Sequence, residues 1–341
     1  MTRASRRRAL QIGIGLAVSA GLLVYFFWKA DFHAIGAQLA RTHWGFLTLG
    51  IALNFASLWS RVERWRLLFP PGAHPSHLFN ATMIGYMGNN LLPLRAGEVL
   101  RVYVVSRRGQ RLWTTVATVV VERVMDGLAI GLMLAGLFLV VPFARELRWA
   151  VLVFLGVDLA LMAGLAALVV APDRIRGLAA RLLDFRPRLR TRGLEVLDTL
   201  SAGLTAVRTA RRLPAIGALT VGLWGVLALS TWAMFRAGGL ALPFLAAWAL
   251  IALLGLGVSL PSSPGYAGIF QAATVFALAP FGVPQDQALA FSILFHLAHY
   301  VPVTLCGLIL MVVEQVSLAE ARLGAGLPPR SARRAGRPAG Q

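Results

Sequence analysis

Seven ionisable side chains stand inside stretches of the chain otherwise fit for lipid. Arg95, Glu98 and Arg101 lie beside a Pro-Gly break, Glu122, Arg123 and Asp126 in the apolar run that follows, and Asp158 in the next. At about 3 kcal/mol each, seven bare charges in a bilayer would cost on the order of 20 kcal/mol, more than the whole stability of a typical protein. They must be paired or hydrated. Glu122 and Asp126 at i, i+4 share one helix face, and Glu98 and Arg101 at i, i+3 share another, so a polar cluster inside a helix bundle is expected. Three positive against four negative charges can close on themselves as a network that only fixes packing. The rival reading is a binding site. Asn89, Asn90, Arg95 and Arg101 gather around unwound backbone at Pro93, where free N–H groups and guanidinium forks suit a phosphate or other anion. On either reading Arg123 is expected to be held by Asp126 or Glu122.

A second Pro-Gly break carries Ser262, Ser263 and Tyr266, with Gln271 beyond it, as a neutral polar lining for the opposite half. His296 and His299 at i, i+3, beside Tyr300, have no suitably spaced carboxylate, so they are expected to pack or line a cavity and not to bind metal. Nothing reads as a nucleophile elbow, a phosphate-cradling Gly loop or a zinc motif, so neither catalysis nor a cofactor is expected. Without a nucleotide site, any transport is passive or ion-coupled, with Glu98, Glu122 and Asp126 as the candidates for carrying a proton.

The elements that position these residues are set by the bilayer. With 57% of 341 residues hydrophobic and 14% charged, the chain has too little polar surface to coat a soluble globule. The net charge of +19 falls between apolar runs and not along one polar face, which points to membrane topology and away from nucleic acid. The single cysteine, Cys306, excludes an intrachain disulfide framework. Apolar runs long enough to span occur at about 9–28, 44–60, 113–141, 149–171, 214–236 and 286–313. The first follows Arg3, Arg6, Arg7 and Arg8. Its only small-residue site, Val18-Ser19-Ala20, would split the apolar run on cleavage, so it reads as an uncleaved span with the N-terminus inside.

Two further segments, 78–106 and 243–281, are broken in the middle by Pro and Gly. If each enters and leaves on the same side, 25 of the 33 basic residues, with Arg61, Arg64 and Arg66 among them, collect in the cytoplasm, as the positive-inside rule requires; if 78–94 were a full crossing, the ten arginines between Arg174 and Arg212 would fall outside. Arms of about 15 residues reach roughly 23 Å, short of a core of about 30 Å. Re-entrant hairpins fit best, and two short tilted crossings give the same parity. Span, hairpin, span at 44–141 recurs at 214–313 in the opposite orientation, with Leu92-Pro93 to Gly97 matching Leu260-Pro261 to Gly265. Inverted repeats with broken helices belong to transporters that bind substrate near the midplane. The expected fold is therefore an all-α polytopic membrane protein of about six transmembrane helices plus two re-entrant hairpins arranged as an inverted repeat. One domain over 1–320 is followed by a basic, disordered cytoplasmic tail at 321–341. The stretch 173–212 has leucines at helical spacing among arginines and reads as amphipathic helices on the anionic inner leaflet.

Three blocks carry a family resemblance: Gly88-Asn89-Asn90-Leu91-Leu92-Pro93-Leu94-Arg95-Ala96-Gly97-Glu98-Val99-Leu100-Arg101, Glu122-Arg123-Val124-Met125-Asp126, and Leu260-Pro261-Ser262-Ser263-Pro264-Gly265-Tyr266-Ala267-Gly268. In this order and spacing the chain, from about 10 to 315, resembles the transmembrane family of lysylphosphatidylglycerol synthases, also called flippase-like proteins. The resemblance implies a bacterial cytoplasmic-membrane domain that moves an aminoacylated or otherwise polar lipid between leaflets; relatives are linked to hopanoid and polyprenyl-phosphate glycolipid handling. The chain departs from the two-domain synthases in ending on a basic tail after about Glu320, so synthase activity is not expected. The alternative is a non-transporting membrane subunit that binds lipid or scaffolds a lipid-modifying enzyme.

Overall fold

In the computed structural model the described residues are 36, 40–92, 95–142, 145–204, 210–259 and 264–316. They form eleven α-helices and no strand: α1 (Trp44–Leu67), α2 (Leu78–Leu91), α3 (Gly97–Arg107), α4 (Leu112–Leu137), α5 (Arg145–Val170), α6 (Pro172–Leu182), α7 (Pro187–Leu204), α8 (Leu213–Ala237), α9 (Phe244–Ser259), α10 (Ile269–Leu278) and α11 (Gln285–Val313). Within α5, and along α8 and α11, the helices are long and apolar enough to cross a membrane. α1 and α4, at 24 and 26 residues, have spanning length but carry charge, which is satisfied inside the bundle. The expected span 9–28 and the tail 321–341 lie outside the described residues.

α1 does not end near residue 60. It continues to Leu67, and this carries Arg61 and Arg64, expected in a cytoplasmic loop, into the buried interior. Two arginines thereby leave the tally for the cytoplasmic side.

The broken segments become antiparallel pairs, α2 on α3 and α9 on α10. α2 stops where Leu92 turns extended (φ −108°, ψ 145°), the conformation that a following proline imposes on its neighbour. Arg95 then sits in left-handed backbone at φ 53°, as do Gly265, Tyr266 and Gly268 at the second break. The four arms have 14, 11, 16 and 10 residues, or roughly 15–24 Å at 1.5 Å per residue, each short of a hydrocarbon core of about 30 Å. α2 and α3 touch backbone to backbone. A Cβ on Gly97 would collide with Gly85 O and Asn89, and one on Gly88 would lie 2.8 Å from Gly97 Cα. Small residues allow this approach where no hydrophobic effect drives helices together.

Packing exchanges the two halves. α1 lies against α8, α2 against α11, and α9 against α4, so each hairpin leans on the last helix of the other half. One apolar core joins α8, α9, α10, the first half of α11 and the far half of α4 around Leu134, Phe235, Leu250 and Phe291; a second joins α2, α3 and the ends of α1 and α4 around Trp65, Ile84, Met87 and Leu100. Large apolar side chains such as Trp44, Leu49, Trp59, Val221, Leu297 and Ile309 face outward, as a lipid solvent permits.

α6 and α7 form the helical pair expected in 173–212. Ile175 and Leu197 rest on the second core, while Leu178, Leu182, Phe185 and Leu189 stay exposed. Glu314, just past α11, accepts hydrogen bonds from His77 Nδ1 (2.6 Å), Asn80 Nδ2 (2.6 Å) and Arg108 Nη2 (2.8 Å), tying α11 to the start of α2 and the end of α3. Burial pushes its carboxyl up, but the bonds from Asn80, Arg108 and His77 outweigh that and hold it below the ordinary carboxylate value.

Candidate functional site

Helical spacing builds the charged layer between the two cores. Arg61 and Arg64 project from α1, Glu98 and Arg101 from α3, and Glu122, Arg123 and Asp126 from α4. Glu122 has no exposed side-chain surface and receives a bidentate pair from Arg101, with Nη2 to Oε2 at 2.5 Å and Nη1 to Oε1 at 3.2 Å. The Arg101 guanidinium also stacks 3.6 Å over the ring of Trp65, whose Nε1 donates to Thr118 Oγ1 at 3.0 Å. Arg61 donates to Glu122 Oε1 at 3.1 Å and to Asp126 Oδ2. Arg64, fully buried, donates to Asp126 Oδ1 at 2.6 Å and to Thr220 Oγ1 at 3.3 Å. Arg123 lies at the edge. Its Nη2 is 3.3 Å from Glu122 and 3.5 Å from Glu98, its Nη1 is 3.8 Å from Asp126, and 36% of its side chain is exposed. Four guanidinium groups thus meet three carboxylates, a residual charge of +1.

Arg95 works apart from this network. It donates from Nη2 to Val258 O in the last turn of α9, where a cation complements unsatisfied helix carbonyls, and so joins the two hairpin breaks. Asn90 Nδ2 donates to Thr304 Oγ1 at 2.8 Å, and Tyr300 Oη donates to Asn90 O at 3.2 Å, both from α11. The Pro264–Tyr266 turn of the second break packs on α2.

Between the breaks and the charged layer lies a cavity of about 490 Å³. Arg61, Arg95, Glu98, Arg123, Asp126 and Asp158 supply its charged wall, and Leu58, Ile130, Phe154, Leu227, Ile251 and Leu254 are among its apolar residues. Several buried polar atoms of its lining residues have no hydrogen-bond partner: Asn89 Oδ1, Arg123 Nε, Asp158 Oδ2, Trp224 Nε1 and His299 Nε2. His299 Nδ1–H donates to Phe295 O at 3.0 Å, which leaves Nε2 a bare acceptor. His296 stacks on Phe270 with centroids 4.3 Å apart and meets Tyr300 edge-on. A cavity with donors and acceptors on one part of its wall and apolar side chains on the rest suits an amphiphile.

Of the residues singled out from sequence, Asn89, Asn90, Arg95, Glu98, Arg123, Asp126 and Tyr266 line this cavity. Arg101 and Glu122 do not. They stand behind the wall, closed on each other and on Trp65. Ser262 and Ser263 lie outside the described residues. Arg61, Arg64 and Trp224 were missed; for the arginines a signal existed in their i, i+3 spacing, which puts both on the face of α1 that meets α4.

Among known proteins, a UPF0104 membrane protein of Methanothermobacter thermautotrophicus is 27% identical over 334 residues, covering 90% of this chain and 93% of the relative. No solved structure matches the chain. The family described as the lysylphosphatidylglycerol synthase TM region matches residues 12–307. By that match, which takes in both hairpins and every element of the charged layer, the chain is a membrane protein belonging to the lysylphosphatidylglycerol synthase transmembrane-region family.

Proposed function

We propose that the protein holds an anionic or polar lipid, of the phospholipid, hopanoid or polyprenyl-phosphate type, by its headgroup in the cavity and moves it between leaflets while the acyl chains stay in lipid. The observation that carries this reading is the cavity wall, where Arg61, Arg95 and Arg123 face one space with unpartnered donors and acceptors and an apolar remainder. Guanidinium forks favour phosphate-like groups, and a network with more guanidinium than carboxylate retains charge for an anion. Arg64, Arg101 and Glu122 position the wall; they do not touch the ligand. No covalent chemistry is assigned to the site. The short hairpin arms, and their exchange between halves, support a re-entrant inverted repeat with its site near the midplane. The family match supports a bacterial cytoplasmic membrane location, and the arginines support both termini inside, with α6–α7 resting its exposed leucines and its basic side chains on the anionic inner leaflet.

The test is leaflet exchange of fluorescent phosphatidylglycerol in vesicles carrying the purified protein. Wild type is expected to accelerate exchange, and Arg95→Gln and Arg123→Gln to lose it while staying monodisperse. If wild type moves neither phosphatidylglycerol nor a polyprenyl phosphate, and both variants retain the same co-purified lipid, the reading is wrong. A lipid-modifying enzyme that co-purifies with wild type and is lost from both variants would instead favour a subunit role.

A further inference from the structure

The acids expected to carry a coupling proton, Glu98, Glu122 and Asp126, are each within ion-pair distance of at least two arginines. Their charge is already committed to these pairs. Asp158 is different. It is the single charged residue of the Val151–Leu168 stretch of α5, it is 7% exposed, and its Oδ2 is buried without a hydrogen-bond partner. It lines the cavity, and the residue facing it on α4 is Gly127, where a Cβ would strike Asp158 Oδ1. Among the described residues it has no ion pair. We propose that Asp158 is the proton-binding site of the cavity, taking up a proton from water when an anionic headgroup occupies the arginine wall and releasing it when the headgroup leaves.

The chemistry favours a proton over a metal cation. A hard cation needs about six oxygen ligands, whereas a proton needs one, and Asp158 belongs to no cluster of three or more metal-ligating side chains among the described residues. The groups facing it are accounted for. From α4 come Asp126, committed to Arg61 and Arg64, and Arg123. Across the cavity stand Arg95, Glu98, Tyr86 and Tyr266, and from α11 His296, His299 and Tyr300. α6 and α7 meet α5 near Leu165 and Leu168, about two turns or more from Asp158, and their Arg176 and Asp198 pair with each other at 2.9 Å. Counting Arg95 and the network, the site carries +1 with Asp158 ionised and +2 with it protonated. An anion therefore enters more readily when the proton is bound, and by reciprocity draws the proton in. The step is a protonation of one carboxylate oxygen, with no bond broken elsewhere.

This proposal rests on the headgroup reading above, so its test has two arms. The first measures binding of fluorescent phosphatidylglycerol to detergent-purified protein between about pH 5 and pH 8. Wild-type affinity should rise as pH falls, by at most about tenfold per pH unit, the limit for one proton per ligand. Asp158→Asn, fixed as the neutral form, should bind with a flat profile at the affinity wild type reaches in acid. Gly127→Ala, whose methyl displaces the carboxylate without removing it, should blunt the profile and serves if Asp158→Asn is not recovered. A wild-type profile flat with pH, or one left unchanged by both variants, overturns the proposal. The second arm follows the infrared carbonyl stretch of protonated carboxylic acid in wild type minus Asp158→Asn. If phosphatidylglycerol does not bind at all, the headgroup reading fails, and this band alone decides: an Asp158 band that grows as pH falls keeps the proton site, and its absence down to about pH 5 removes it.

Discussion

Glu122→Gln is the most informative perturbation of the charged layer. The change keeps volume and hydrogen-bonding capacity but removes the carboxylate charge that faces four guanidinium groups, at 2.5, 3.1, 3.3 and 3.9 Å. The residual charge of the network doubles from +1 to +2, in a place where neither Glu122 nor Arg64 reaches solvent. Removing one partner of a buried pair typically costs about 3–5 kcal/mol. At roughly 2 °C per kcal/mol for a chain of this size, the melting temperature should fall by about 6–10 °C. Arg123→Gln removes a charge that is one-third exposed and leaves Glu122 three other arginines, so the loss should stay near about 1 kcal/mol. Thermal unfolding in detergent, followed by monodispersity after heating, reads both. The double variant Glu122→Gln, Arg101→Gln restores the residual charge to +1 and should recover part of the loss, a coupling of about 1 kcal/mol or more. If Glu122→Gln is no more damaging than Arg123→Gln, the layer is not organised around Glu122 and this account of it fails.

Three further outcomes follow. Because Glu314 is held below the ordinary carboxylate value when folded, its contribution is complete above the unfolded titration near about pH 4.3 and is lost as pH falls through the lower folded value; Glu314→Gln should flatten that acid-side loss of melting temperature. Gly97→Ala should cost about 1–3 kcal/mol by forcing α2 and α3 apart, whereas Gly136→Ala, with nothing within 4 Å of its Cβ, should be neutral or gain up to about 1 kcal/mol, both read by thermal melts. Single cysteines at Gly109 and Arg190, on a Cys306→Ser background, should both resist impermeant thiol reagents in intact cells; labelling of one with protection of the other would mean an odd number of crossings between them.

The long apolar helices α5, α8 and α11 were legible because twenty or so apolar residues in a row have few other uses. The end of α2 was legible from Pro93. The far end of α1 was not. Arg61 and Arg64 look in sequence like any arginines flanking a span, and what buries them is Asp126, more than sixty residues away, which no local pattern reports. Arg101 misled for a related reason. Its neighbourhood to Pro93 suggested a ligand, but one helical turn turned it onto Trp65 and Glu122, while Arg123, singled out alongside it, keeps a face on the cavity.

The contacts of α11 divide the molecule differently from its chain order. Thr304 and Tyr300 bind Asn90, a Cβ on Gly307 would strike Met83 and Met87, and Glu314 clasps His77, Asn80 and Arg108. With Gly97 clamping α3 onto α2, the C-terminal part of α11 packs with these two helices as one unit, while its N-terminal part, through Phe291 and Phe295, stays in the core of α8, α9 and α10. Under the proposed transport, movement of one hairpin against the other would have to part the Arg95–Val258 contact that joins the two breaks. A crosslink from α2 to α11 would leave such motion free, and one from Arg95 to Val258, across the seam, would arrest it.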